Sequence, residues 1–329
     1  MKKKLFAVLA ATLACTTLSL SACTSGDSKI IFKNYWNYDT EYTSNESIDE
    51  TLVYDVSFTP TYGNTINYKI DYDGTYTTHL KSQSNEIYEF TSTLDITLIF
   101  TLNGVTEEKR DSVTTNVVFY KAGGTDNLRP ISSYKKMTSH TPNYTKSAAA
   151  IKDCYTLFDY EITTTYDDNG NGNCVSVRNI FDDSEQVTIP EKKEYSFSAT
   201  SGKRSVLDNE QFPIAFRAMP AGTNTKVQMF DPFLGYSHKY AVSVTSEAKE
   251  KEYSYKLNGN DVKRTIPYTI ASISVDGTSS GRPQWAEIAA LQDSKSNTNR
   301  NIMLYYCAPL ANYMGELEYK LISADYKNK

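Results

Sequence analysis

The sequence predicts a mainly β protein: a large curved antiparallel sheet or half-barrel with a short helical plug. Three observations predict it. Apolar residues recur at every second position in run after run, the spacing that places them on one face of a strand. Tight-turn dipeptides such as Asp73-Gly74, Asn103-Gly104 and Asp276-Gly277 break the runs. Tyrosine is abundant, at 26 of 329 residues, and it favours the pleated, half-buried surface of a sheet. No stretch alternates strands with long helices, which argues against a two-lobed α/β receptor.

The chain opens on Lys2, Lys3 and Lys4, runs uncharged from Leu5 to Leu20, and reaches Leu20-Ser21-Ala22-Cys23. A positive start, an apolar stretch and small residues before a break are the design of an export signal. A retained transmembrane helix is disfavoured. The apolar run is near the lower length limit for spanning, and it holds Thr12, Thr16, Thr17, Ser19 and Ser21. The Leu-Ser-Ala-Cys ending resembles the lipobox of bacterial lipoproteins. That resemblance implies cleavage before Cys23 and a diacylglyceryl group on its thiol, which makes a membrane the first expected partner. Thr24 stands where the usual inner-membrane retention signal has Asp. The expected location is therefore extracytoplasmic: the outer membrane of a two-membrane cell, or the outer face of a single one. The implied organisation is a signal over 1–22, a lipidated tether over 23–48 and one β-rich domain over 49–329.

The whole chain carries a net charge of −5, and loss of the signal removes three lysines more. An acidic body argues against nucleic acid, whose phosphates need a positive face, and against a polybasic grip on lipid headgroups. Attachment would rest on the acyl chains, of which the modification supplies more than one. With Cys15 in the signal and Cys23 acylated, Cys154, Cys174 and Cys307 remain. An odd number leaves at least one thiol unpaired, and buried single thiols acting as small hydrophobes are the favoured reading.

In chain order, Thr24 to Ser28 is small and polar, and Ile30, Ile31, Phe32, Tyr35, Trp36 and Tyr38 are expected to dock onto the body, because apolar side chains left in water are costly. Alternation begins at Glu50 (Leu52, Tyr54, Val56, Phe58) and resumes at Ile66, Tyr68, Ile70 and Tyr72. The clearest strand spans 88–102, with Leu94, Ile96, Leu98, Phe100 and Leu102 on one face. Asn103-Gly104 is a strong hairpin signal, and the return strand covers about 107–120. Residues 125–147 read as less regular, with a short helical start at Ala148–Ile151. Strand character returns over 155–166, before the polar turn 167–173, and again near 174–181 and 193–200. Residues 205–218 are the best helix candidate, with Ser205 as cap and Pro213 dividing it into two pieces. Further strands are expected around 227–230, 240–245, 253–257, 271–275, 303–307 and 316–322.

The C-terminal half has a distinctive order. Phe212–Phe216 with Arg217 and Pro220-Ala221-Gly222 comes first, then Tyr240-Ala241-Val242, Trp285, Arg300-Asn301-Ile302-Met303, Pro309 and Gly315-Glu316-Leu317. With the opening Glu50–Val56, it resembles an uncharacterised family of exported bacterial proteins built on a curved antiparallel sheet and related in shape to lipoprotein-localisation carriers. The resemblance implies a concave face able to hold an acyl chain. It implies no catalytic residue.

Chemistry-bearing motifs are few. Gly277-Thr278-Ser279-Ser280-Gly281 matches the nucleophile-elbow string, but no helix follows and all three histidines, His79, His140 and His238, lie upstream. A plain loop is favoured. Asp167, Asn169 and Asn171 with Gly172 match half of a Ca²⁺ loop, yet Arg178 stands where the bidentate Glu belongs. This is a weak metal candidate beside the reading as a polar turn. The acid pairs Asp182-Asp183 and Glu107-Glu108 read as solvated faces. Tyr68, Tyr72 and Tyr76 read as sheet composition rather than a sugar-stacking row. No cofactor is expected. The expected function is a non-catalytic, membrane-anchored lipoprotein that binds an apolar or lipid-like ligand or serves as an envelope scaffold. The alternatives are a carbohydrate- or protein-binding β-sandwich adhesin and an envelope hydrolase with an acid pair on the sheet.

Overall fold

The computed structural model describes residues 29–37, 48–60, 66–84, 86–122, 127–143, 147–179, 181, 190–199, 205–232, 235–276, 283–290, 300–310 and 315–327. The lipobox with Cys23, the 277–281 string and Asp182-Asp183 lie outside them.

One antiparallel meander fills the first half of the fold. β1 (Asp49–Pro60), β2 (Lys69–Ser82), β3 (Ile87–Leu102), β4 (Val105–Tyr120), β5 (Pro130–Pro142), β6 (Tyr155–Tyr166), β7 (Gly172–Asn179) and β8 (Glu191–Phe197) neighbour one another in sequence order. Alternation drives this. Tyr54, Tyr76, Leu94, Val113, Met137 and Tyr160 lie side by side in register on one inner row. Strands this long must coil. Asp73-Gly74, expected from sequence to be a turn, lies inside the continuous strand β2: a Cβ at Gly74 would clash with the Asp95 carbonyl oxygen, so the glycine serves a close approach of β2 to β3 rather than a reversal of the chain.

The second half closes a ring. β9 (Ser205–Leu207), β10 (Asn224–Asp231) and β11 (Tyr236–Val244) form a short arm. β12 (Lys249–Leu257), β13 (Asn260–Val275), β14 (Gln284–Ala289), β15 (Met303–Pro309) and β16 (Gly315–Tyr326) pair in succession. A short parallel bridge, Leu257 opposite Ala324, joins β12 back to β16 and makes a five-stranded barrel. β16 also pairs with β1, which continues the sheet into the long arm. The far ends of the two arms meet through side chains: Phe197 on β8 stacks on Phe230 of β10 at 4.1 Å. The mainly β class with a curved, barrel-like sheet and one short helix is the architecture found.

The plug differs in detail from the helix expected over 205–218. Ser205 to Leu207 is extended and pairs in parallel with β10. Ser205 caps nothing; its Oγ accepts the Ile30 backbone N–H at 3.1 Å. Asp208 is the cap, taking the Glu210 N–H at 2.8 Å at the head of a 3₁₀ turn, Asn209–Gln211. The helix α1 (Phe212–Ala218) follows, with Pro213 in its first turn, where a missing N–H costs nothing. Phe212, Ile214, Ala215, Phe216 and Ala218 are buried. Arg217 is buried too. Its guanidinium meets Glu50 of β1 at 2.6 and 3.0 Å and donates to the Asn301 and Arg300 carbonyls. That bidentate pair fixes the C-terminal end of the plug.

Residues 29–37, assigned from sequence to a tether whose apolar side chains dock, pack into the body as expected, except that Ile31 stays exposed. Ile30, Phe32 and Trp36 are buried. The Lys33 N–H reaches the Ala218 carbonyl at 2.9 Å, and Asn34 pairs with the Ala122 backbone through both its side-chain oxygen and nitrogen. Residues 130–142, expected to be irregular, form the 13-residue strand β5. The helical start near 148–151 is a single 3₁₀ turn, Ile151–Asp153.

Candidate ligand-binding hollow

The coiled long arm and the plug border a partly open hollow of about 130 Å³. Leu94, Ile96, Val113 and Met137 form its strand wall, and Leu317 faces them from β16. Phe212 and Pro213 close it from the plug. Tyr72, Tyr76, Tyr306 and Tyr319 supply an aromatic side. Tyr76 meets Tyr319 edge-on at 5.3 Å, and Tyr306 lies 5.1 Å from Tyr319. Burial pushes the phenols of Tyr76, Tyr306 and Tyr319 up, so at neutral pH this side is uncharged. The Tyr306 hydroxyl donates to Gln284 at 2.6 Å.

The polar groups of the wall are bound to one another. Lys135 on β5 is 7% exposed and holds Glu210 of the plug at 2.7 Å. Ser92 and Thr115 share a hydrogen bond at 2.7 Å. Deeper under the plug, Asp208 accepts hydroxyls from Ser133 and Tyr166, both at 2.6 Å. Burial raises the Asp208 carboxyl above its ordinary range, against the pull of those two hydrogen bonds.

Asp111, Ser139 and His140 contain the residue types of a nucleophilic triad with different wiring. The His140 ring lies 2.7 Å from Asp111 Oδ1, and its backbone N–H donates to the same oxygen at 2.8 Å. Ser139 Oγ donates to Asp111 Oδ2 at 2.8 Å. A serine nucleophile hands its proton to the imidazole; this hydroxyl is turned to the acid instead. The three contacts replace ladder bonds where β4 and β5 diverge, and they position the strand.

A solved structure with a related arrangement is the crystal structure of the β-barrel-like protein of a domain of unknown function, DUF1849, from Brucella abortus. It is 8% identical over 86% of this chain and 99% of its own, with a TM-score of 0.45. No family model matches the sequence, and no curated protein does.

The remaining sequence candidates fall elsewhere. Asp167 is engaged by its own turn: its carboxylate accepts the N–H groups of Asn169 and Asn171 at 2.8 and 2.9 Å and the Asn171 amide at 3.0 Å. Asn171 Oδ1 takes the Ala199 N–H. Among the described residues no cluster of three or more His, Cys, Asp or Glu is gathered for a metal. His79 faces Asp49 at 2.8 Å, and His238 packs between Tyr236 and Tyr240. Glu107 pairs with Lys109. Tyr68 and Tyr72 are buried on the inner face, where they pack rather than form an outer row. Cys154, Cys174 and Cys307 are free and buried. Burial pushes the first two thiols up to about 11 and the third to about 12, which leaves them inert. Sequence reasoning missed Lys135, Asp208, Glu210 and Asp111. The available signal was the run of polar residues at alternate positions, Ser133, Lys135 and Ser139, in a segment otherwise bounded by strands.

Proposed function

We propose that the protein is an extracytoplasmic lipoprotein, anchored through Cys23, whose body holds a neutral apolar or lipid-like ligand in the hollow beneath the plug. The observation that carries the reading is a wall of Leu94, Ile96, Val113, Met137 and Phe212, in which Lys135 and Glu210 are paired with each other and Asp111 is occupied by Ser139 and His140. Such a site offers apolar contact and a few hydroxyls, the usual make-up of a pocket for an apolar molecule. A ligand with a net charge would have to break the Lys135–Glu210 pair to be neutralised. The Ser139 wiring supports a binding role over a hydrolytic one.

Native mass spectrometry after mild purification tests the ligand: a co-purifying neutral lipid mass is expected, and a homogeneous empty protein from every preparation overturns the reading. Incorporation of radiolabelled palmitate tests the anchor. Label is expected in the wild type and not in Cys23→Ala; equal labelling of both removes Cys23 from the proposal.

A further inference from the structure

We infer that the surface carrying Lys29, Ile31 and Lys33 is the membrane-facing side of the body and rests on an anionic lipid surface. The inference rests on the anchoring proposed above. Residues 29–33 run extended, with Ile30 and Phe32 buried and Lys29, Ile31 and Lys33 outward. Ile31 is 65% exposed, the most exposed large apolar side chain among the described residues. Hydrogen bonds hold this strip in place: the Ile30 N–H to Ser205, the Phe32 N–H to Asn127 at 2.9 Å and the Lys33 N–H to Ala218. Its position relative to the body is therefore fixed.

Its distance from the anchor is bounded as well. Five residues lie between Cys23 and Lys29, and the six Cα-to-Cα steps from one to the other reach at most about 20 Å. A lipid on Cys23 thus keeps the strip within about two Debye lengths of the headgroups. The charge there is the opposite of the body's. Two lysines flank one isoleucine on a chain whose net charge is negative, so an anionic bilayer repels most of the body and attracts this side. Attachment still comes from the acyl chains; the strip sets orientation. The same strip is hydrogen-bonded to both ends of the plug segment, at Ser205 and Ala218. The plugged side of the hollow is then turned towards the bilayer, from which an apolar ligand would come.

The test supplies the anchor chemically, so that its outcome is separate from whether Cys23 is lipidated in the cell. The mature chain, with a polyhistidine segment in place of Cys23, is bound to vesicles of phosphatidylcholine and phosphatidylglycerol doped with nickel-chelating lipid. A solvent-sensitive fluorophore is placed at Ile31→Cys and, for comparison, at Val105→Cys and Tyr236→Cys, which are also exposed; the native thiols are buried. The label at position 31 is expected to shift to the blue and to be quenched by a lipid-borne nitroxide, and those at 105 and 236 to do neither. Lys29→Glu with Lys33→Glu is expected to abolish the difference. Equal quenching at all three positions, or none at 31, overturns the inference.

Discussion

Lys135 and Glu210, 75 residues apart, meet at 2.7 Å and tie the middle of β5 to the head of the plug. Removing one partner of a buried pair leaves the other charge uncompensated, at a cost of about 3 kcal/mol. Lys135→Met is therefore expected to lower stability in urea titration by that order. Lys135→Met with Glu210→Met should recover most of the loss, because replacing both partners by apolar groups is close to neutral. A double variant no better than the single one would remove the pair as the cause.

At the other end of the plug, the Arg217 guanidinium holds Glu50 with two hydrogen bonds and two backbone carbonyls with others. An ammonium cannot reproduce that fork. Arg217→Lys is expected to destabilise by about 2–4 kcal/mol despite keeping the charge. The thermal midpoint of the variant checks this, and an unchanged midpoint would contradict the assignment.

Filling the hollow separates binding from folding. Met137→Trp adds bulk to the wall and is expected to cost about 1–3 kcal/mol, while the fold survives. Native mass spectra of the variant should lose the lipid mass seen with the wild type. Retention of the same mass would place the ligand elsewhere.

Two carboxylates give opposite pH dependence. Burial raises Asp208, so its contribution to stability is fully present below about pH 3.9 and is lost as pH rises through its higher folded value. Asp49 is the reverse. Burial alone would raise it, but the hydrogen bond and charge of His79, helped by Lys327, hold it below its ordinary value. Its contribution is present above about pH 3.9 and is lost as pH falls through the lowered folded value. In plots of stability against pH, Asp208→Asn should remove a fall on the alkaline side of 3.9, and Asp49→Asn a rise on the acid side. Identical slopes in all three proteins would refute both assignments.

The close approach at Gly74 has its own test. A methyl group there would overlap the Asp95 carbonyl and lie 2.8 Å from the Ile96 Cα. Gly74→Ala is expected to cost at least about 2 kcal/mol by overpacking, with amide exchange accelerating along β2 and β3. A neutral substitution would show that the two strands can separate freely at this point.

Much of the architecture was legible in local pattern. The hairpin at Asn103-Gly104, the strands on either side of it, the alternation through Tyr54 and Val56 and the single helical segment all follow from spacing and turn chemistry. Those signals are local, and each survives into the fold because one face of each strand meets a core. β5 was illegible for the same reason turned around. Its inward residues Ser133, Lys135 and Ser139 are polar because they face hydrogen-bonding partners, so the alternation that marks a strand is missing where the candidate site is built.

The sequence by itself determined the β class, the hairpin at Asn103-Gly104, the net negative charge and that at least one thiol stays unpaired, because composition and periodicity act over a few residues. Only the tertiary structure decided that Glu50 meets Arg217, that Lys135 meets Glu210 and that β12 closes a ring on β16. These contacts join residues far apart in the chain. Their partners are chosen by how a coiled sheet rolls and where its ends meet, and no short stretch of sequence records that geometry.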